Sequence, residues 1–343
     1  MIKNAWETHV LKDMVQKSGE HIIVYATTGA GKTNLLIDLV LTMQSRNNEK
    51  IIWYDMGKEE EMLNLLQYSD VRIFHPEGTR VDIEGDFNFN YELRAFSDIN
   101  TILSEISHSS INIISVTPFI LKPALFTAWW SDFFTEFLKM AFEKKLPRPL
   151  TICIDQFNHI VPGTGETFDS LQGALANEIA FNISNLRATK TRMLVSSHKI
   201  GGGVRKNIRT QFMWIIFKRL SERIDTDIPR LKMTQGVVQK LNPNQMVIVD
   251  PSRDYTEPIS NIPYRLIPEK EKKDRGWNVS YVIETTQEEL EKNLGLNKTK
   301  KQRADKYKEM VSNCMTYMVD ELGMKKKEVS EIAGMHPRSI YDF

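Results

Sequence analysis

The sequence predicts an α/β fold: a mostly parallel sheet covered by helices on both faces, with a small helical tail after it. Short β-branched and aromatic runs alternate with segments of helical periodicity from residue 20 to residue 250. These runs are apolar almost throughout instead of alternating with polar residues, as strands buried on both faces are. Beyond residue 265 the composition shifts to Lys, Glu, Asn and Gln, and helical periodicity returns near residue 305.

Composition sets outer bounds. A chain of 343 residues with 41% hydrophobic content holds one large core and a smaller appendage. Its formal net charge of +1 gives no global pull on nucleic acid, so any such contact has to come from local basic clusters. Cys153 and Cys314 lie far apart, and Cys153 sits in an apolar run where it packs as a small hydrophobe, which argues against a disulfide framework. The N-terminus lacks the order of a signal peptide, and no apolar run reaches about 18 residues. The expected setting is cytoplasmic and reducing, without membrane contact.

Residues 1–18 carry Trp6, Val10, Leu11, Met14 and Val15, a helical stripe expected to pack ahead of the first strand. Ile22-Ile23-Val24-Tyr25 then reads as a buried strand. Ala26-Thr27-Thr28-Gly29-Ala30-Gly31-Lys32-Thr33 follows, with Leu35, Leu36, Leu39 and Val40 at helical spacing after it. Strand, small-residue loop and helix in this order fit the Walker A pattern, with Ala26 in place of the first Gly. Gly29 and Gly31 let the backbone turn its N–H groups onto phosphate oxygens at a helix N-terminus. The nucleotide contacts expected are Thr28, Gly29, Ala30, Gly31, Lys32, Thr33 and Asn34. Lys32 reaches the β- and γ-phosphates, and the Thr33 hydroxyl holds Mg²⁺. The plainer alternative, a Gly-rich turn before an ordinary helix, does not account for the strand and the amphipathic helix that flank the loop.

Ile51 to Asp55 is a second strand, Met62 to Tyr68 a short helix and Val71 to Phe74 a third strand. The polar stretch Glu77 to Tyr91, with Gly78 and Gly85, reads as loop or hairpin. Ile111 to Ser115 is another strand. Leu125 to Phe142 carries Trp129, Trp130, Phe133, Phe134 and Phe137 at helical spacing, an aromatic stripe expected to be a core face. Pro147 and Pro149 stop that helix. Leu150 to Ile154 is an apolar strand leading into Asp155 and Gln156. A carboxylate there occupies the Walker B position on the Mg²⁺ side, or else merely forms a turn.

A helix over Leu171 to Leu186 precedes a strand, Arg192 to Ser197, that ends at His198. Gly201-Gly202-Gly203 with Lys199, Arg205, Lys206 and Arg209 suits a loop that touches a DNA phosphate backbone or a neighbouring subunit's nucleotide, with a solvated loop as the alternative. Met213 to Phe217 is a strand, Arg219 to Lys240 reads as helical with a break at Pro229, and Met246 to Asp250 closes the sheet. The expected division is an N-terminal helix over 1–18, the α/β domain over 19–265, a charged linker over 266–304 and a tail over 305–343. In the tail, Val329, Ile332, Ala333, Gly334 and Ile340 match a short helix-turn-helix offering Arg338 to DNA, with a helical packing or oligomerisation tail as the alternative.

With these residues in place, 19–265 resembles the FtsK–HerA superfamily of DNA-pumping motors, which includes viral packaging ATPases and translocases of mobile elements. The resemblance rests on Thr28 to Thr33, on Asp55 before a Gly and acidic residues, and on Asp155 within IDQFNHIVP. It also rests on Asn185 to Lys190 before the strand that ends at His198, and on the basic run downstream. It implies a RecA-like P-loop NTPase domain that uses ATP and Mg²⁺, with Thr33 and Asp155 on the metal. It further implies a homo-oligomer, a hexameric ring with nucleotide at subunit interfaces. A finger arginine on the neighbour's γ-phosphate matches Arg187 best, with Arg192 in reserve, and His198 stands where the family's polar sensor is usually Gln.

The family has Glu directly after the Walker B Asp, where this chain has Gln156, which orients water but accepts no proton. Glu59 is the candidate substitute, because RecA-like relatives place their catalytic Glu after the second strand. The function implied is an ATP-driven motor that translocates or packages double-stranded DNA, in a virus or mobile element, with a capsid or replication partner. The alternatives are a nucleotide-gated DNA-binding regulator or replication and transposition helper with weak or no hydrolysis, and a partner-binding adaptor.

Overall fold

The apolar runs become the strands of one nine-stranded sheet. In chain order the elements of the computed structural model begin with β1 (Ile22–Tyr25), α1 (Lys32–Asn47), β2 (Lys50–Asp55), β3 (Val71–Pro76), β4 (Thr79–Glu84) and β5 (Tyr91–Phe96). They continue with α2 (Ile99–Glu105), β6 (Ile111–Ser115), α3 (Pro123–Phe142), β7 (Leu150–Ile154), α4 (Ser170–Leu186), β8 (Thr191–Ser197) and α5 (Lys206–Arg209). The last are β9 (Trp214–Phe217), α6 (Gln235–Gln239), β10 (Val247–Val249), α7 (Glu269–Asp274), β11 (Asn278–Ile283) and α8 (Gln287–Asn293). The structure describes residues 13–58, 61–163, 165–167, 170–200, 203–221, 235–252, 254, 256–260, 262–296, 312, 315–320, 323–325 and 328–329.

Strand order is β10-β9-β1-β8-β7-β2-β6-β3-β5. Every pairing is parallel except that of β10 with β9. Ile22 lies opposite Leu194 and Trp214, and Tyr25 opposite Ser197 and Phe217, so β1 sits between β8 and β9. Because β1, β7, β8 and β2 run the same way, the residues that follow all four gather at one edge. The aromatic stripe of α3 is a core face, as expected: Trp129, Trp130, Phe133 and Phe137 are fully buried, with Trp129 stacked on Phe133 at 5.1 Å. Cys153 is a buried free thiol. Among the described residues no helix is long and apolar enough to cross a membrane.

Two stretches differ from expectation. Residues 77–91, read as loop or hairpin, supply β4 and run into β5, a parallel edge strand beside β3. Its polar sequence reflects an edge largely open to solvent. The stretch read as a charged linker contains α7, β11 and α8, and β11 pairs antiparallel with β4 in a separate two-stranded sheet. Trp277 anchors it, buried against Phe87 with its indole N–H donating to Asp86 O at 2.9 Å. Its many charges hid this docking.

Met14 and Val15 are buried as the N-terminal stripe requires, whereas Trp6, Val10 and Leu11 lie outside the described residues. Most of Arg219 to Lys240 also lies outside them, and α6 is the helix seen at its end. In the tail, Met315, Met318 and Val329 are buried, but Ile332 to Phe343, which carry the turn and second helix of the helix-turn-helix reading, fall outside. Arg192 proves structural. It is fully buried, pairs with the equally buried Glu49 at 3.3 Å, and donates to the carbonyls of Met14, Val15 and Lys17. That excludes it as a reserve finger, because its guanidinium is consumed in holding the N-terminal segment to the sheet.

Candidate nucleotide site

The loop after β1 carries Gly29 and Gly31 at φ 72° and 78°, left-handed values that a Cβ would strain. Gly31 is the N-cap of α1, so the helix opens directly onto the loop. Lys32 Nζ folds back over the loop, donating to Ala26 O at 3.0 Å and Thr27 O at 3.2 Å and lying 2.8 Å from His198 Nδ1. Burial pushes the Lys32 ammonium down to about 8, against the pull of Asp155. A cation kept from water with only neutral partners is ready for anionic oxygens.

Asp155 follows β7 and is buried. Its Oδ1 accepts the Ser196 hydroxyl and the Gln156 N–H, and its Oδ2 lies 2.5 Å from Lys58 Nζ and 3.4 Å from Thr33 Oγ1. Burial acts to raise its carboxyl, but Lys58, Ser196 and Lys32 outweigh it and hold the group below the ordinary carboxylate range. Thr33 Oγ1 also donates to Glu61 Oε1 at 3.2 Å. Burial lifts Glu61 to about 7, with Lys58 opposing and Asp155 reinforcing the rise. Glu61 therefore titrates at the operating range of a general base.

Gln156 takes a left-handed backbone, φ 56°. Its Nε2 lies 3.2 Å from His198 Nε2. Burial, and then Lys32, push the His198 ring below its usual value, and its Nδ1 faces the Lys32 ammonium. Lys32, His198 and Gln156 thus form one chain of contacts across the mouth of the loop.

These groups share a cavity of about 1060 Å³ at the sheet edge, lined by Thr28, Gly29, Gly31, Lys32, Thr33, Glu61, Asp155, Gln156 and His198, and beyond them by Pro243, Asn244 and Tyr264. Ala30 is buried within the loop. Asn34 borders the cavity, but its side chain is spent elsewhere: Nδ2 donates to Pro263 O at 2.9 Å and Oδ1 accepts Arg265 N–H at 2.6 Å. Its side chain clamps the 263–266 segment over α1, which leaves its backbone N–H, in the first turn of α1, as the group that faces a nucleotide. A divalent cation fits the facing oxygens of Thr33 and Asp155, since Mg²⁺ takes few protein ligands and completes its shell with water and phosphate. Lys58 already places positive charge there.

The remaining expected residues are scattered. Arg187 lies between α4 and β8, at the sheet edge opposite the loop, and donates to Met213 Sδ at 3.6 Å, so it takes no part in its own chain's cavity. Arg205 donates to Asn177 Oδ1 at 2.8 Å, and Arg209 is buried and donates to Ile200 O at 2.7 Å. Arg205 is thus tied to α4 and Arg209 to Ile200, which weakens the expectation that they grip DNA. Lys199 is half exposed, 4.0 Å from Glu166, and Lys206 opens α5. Glu59 and Arg338 lie outside the described residues. Sequence reasoning missed Glu61 and Lys58, although both belong to the run after β2 that it had marked.

A helix-opening glycine loop after one strand, an acid after another, and a third strand set between the two define a P-loop NTPase of RecA-like architecture. No protein-family model and no curated protein matches the sequence. Among solved structures, the chain is similar to the genome packaging NTPase B204 from Sulfolobus turreted icosahedral virus 2 in complex with AMPPCP. The TM-score is 0.45 at 11% identity, over 71% of this chain and 99% of that one. It is also similar to the cytoplasmic domain of the Thermomonospora curvata type VII secretion ATPase EccC, with a TM-score of 0.45 at 14% identity, over 72% of this chain and 26% of that one. The pCW3 conjugation coupling protein TcpA gives 0.40 at 11%, over 76% of this chain and 66% of that one. At such identities the likeness is one of fold.

Proposed function

We propose that this chain hydrolyses Mg·ATP and uses the energy to move double-stranded DNA, as a ring of identical subunits. The observation that carries the proposal is the convergence of Lys32, Thr33, Asp155, Gln156, His198 and Glu61 on one cavity at the opening of α1. The DNA half is supported by the order of motifs that resembles the FtsK–HerA motors.

The loop N–H groups and Lys32 hold the β- and γ-phosphates, and Lys32 gives up Ala26 O and Thr27 O to do so. Thr33 and Asp155 are the residues that would hold Mg²⁺, and the ion would supply charge neutralisation on the phosphate oxygens. Gln156, steadied by His198, orients the attacking water. Glu61, in place of the Walker B glutamate, accepts its proton. Arg187 acts on the neighbouring subunit's nucleotide, and Lys199 and Lys206 meet the DNA backbone, so the grip is independent of sequence and sensitive to salt. The setting is the cytoplasm of a host cell.

One observation favours the second reading, a nucleotide-gated DNA-binding regulator with weak turnover. Gln156 follows Asp155, and Lys58 stands on the carboxylate that has to receive the metal. Steady-state ATP hydrolysis with and without long double-stranded DNA, at low and moderate salt, separates the two, with Lys32→Ala as the blank. DNA-stimulated turnover is expected of the motor. ATP binding with turnover at the blank level under every condition would establish the regulator instead.

A further inference from the structure

Lys218 is the first residue beyond β9, and its N–H donates to Tyr25 O at 3.0 Å, so it extends the ladder alongside the P-loop strand. Its side chain has no exposed surface. The ammonium donates to Pro243 O at 2.5 Å, and among the described residues no carboxylate pairs with it. It also lies against the loop: a Cβ on Gly31 would stand 3.4 Å from Lys218 Nζ and 3.3 Å from Pro243 O. Burial lowers its affinity for a proton, to about 8.

A buried cation held by one neutral carbonyl is expensive to keep. A leucine or methionine would fill the same space without that cost. Position suggests what the charge is for. Asp155 and His198 come from β7 and β8 on one side of β1, and Lys218 comes from β9 on the other. The loop is therefore flanked by the catalytic groups on one side and, on the other, by an ammonium that no carboxylate pairs among the described residues.

We propose that Lys218 is a second phosphate-binding lysine: when a nucleoside polyphosphate lies on the loop, its ammonium turns from Pro243 O to a phosphate oxygen on the β9 flank. This rests on the nucleotide reading of the loop given above. It makes Pro243 a sensor of occupancy, because the carbonyl loses its donor whenever the phosphates are present. The wall that carries Pro243 and Asn244 is thereby coupled to the state of the nucleotide.

The test uses the full chain and three variants: Lys218→Met, which removes charge and donor; Lys218→Gln, which keeps a donor for Pro243 O; and Lys32→Ala. ATP and ADP affinities are read by fluorescence titration, and the melting temperature without ligand is read alongside. Both Lys218 variants are expected to weaken ATP and ADP by about tenfold or more, the scale of one charge-assisted hydrogen bond, with an unchanged or raised melting temperature. Full ATP affinity in Lys218→Gln, with a lowered melting temperature in Lys218→Met, would make Lys218 a structural tether and overturn the proposal. Wild-type affinity in both variants would overturn it as well. Wild-type protein that binds no better than Lys32→Ala would instead remove the nucleotide reading itself.

Discussion

Replacing Glu61 by Gln isolates proton acceptance from everything else Glu61 does. The amide has the size of the carboxylate and still accepts the Thr33 hydroxyl, which lies 3.2 Å from Oε1. What it loses is basicity, which burial has raised to about 7. A positioned general base contributes on the order of 10²–10⁴ in rate, so kcat should fall by that factor while ATP affinity stays within about threefold. Single-turnover hydrolysis of radiolabelled ATP, with enzyme in excess, reads the chemical step free of product release. The variant removes a half-buried carboxylate that is costly to keep charged, so its ligand-free melting temperature should not fall, which separates lost chemistry from lost fold. A single-turnover rate within threefold of wild type would refute the assignment. It would mean that the loose transition state needs only the water orientation that Gln156 supplies.

Adding Gln156→Glu to that variant should restore at least about tenfold of the lost rate, because a carboxylate there faces the same water; no recovery in single-turnover assays would place the water elsewhere. Arg192→Met should destabilise the fold by about 3–5 kcal/mol in urea unfolding, since Glu49 would be left buried and unpaired. His21, buried with Nε2 against Ile183 O and Nδ1 accepting Met193 N–H, is pushed by burial from 6.5 to about 4. The unfolded chain takes up this proton first as pH falls, so stability present above 6.5 is lost between 6.5 and 4. The loss amounts to about 3 kcal/mol, and His21→Asn should show a correspondingly shallower dependence in denaturant titrations at several pH values.

The P-loop was legible because its signals are contiguous: strand, glycines and helix all fall within residues 22–47. Asp155 was legible for a similar reason, as a carboxylate directly after the apolar run Leu150 to Ile154. Glu61 was not, because its place beside Thr33 depends on how a short 3₁₀ turn, Glu61–Gln67, is phased against β2. Lys218 was invisible because its meaning comes from the pairing of β9 with β1, between segments far apart in sequence. That the Asn34 side chain is tied to 263–266 was equally hidden, because those partners are as remote in sequence. β5 was overlooked because a sheet's edge is free to be polar, and periodicity reports burial before it reports strand.

The insertion of β1 between β8 and β9 also fixes when the site can exist. Both neighbours of β1 are encoded about 170 and 190 residues downstream, so as the chain emerges from the ribosome the loop strand waits without a ladder. Its apolar side chains and open backbone are exposed for most of synthesis, a natural target for a holdase. Nascent or clipped chains that stop short of Phe217 lack one wall of the cradle and should not retain ATP.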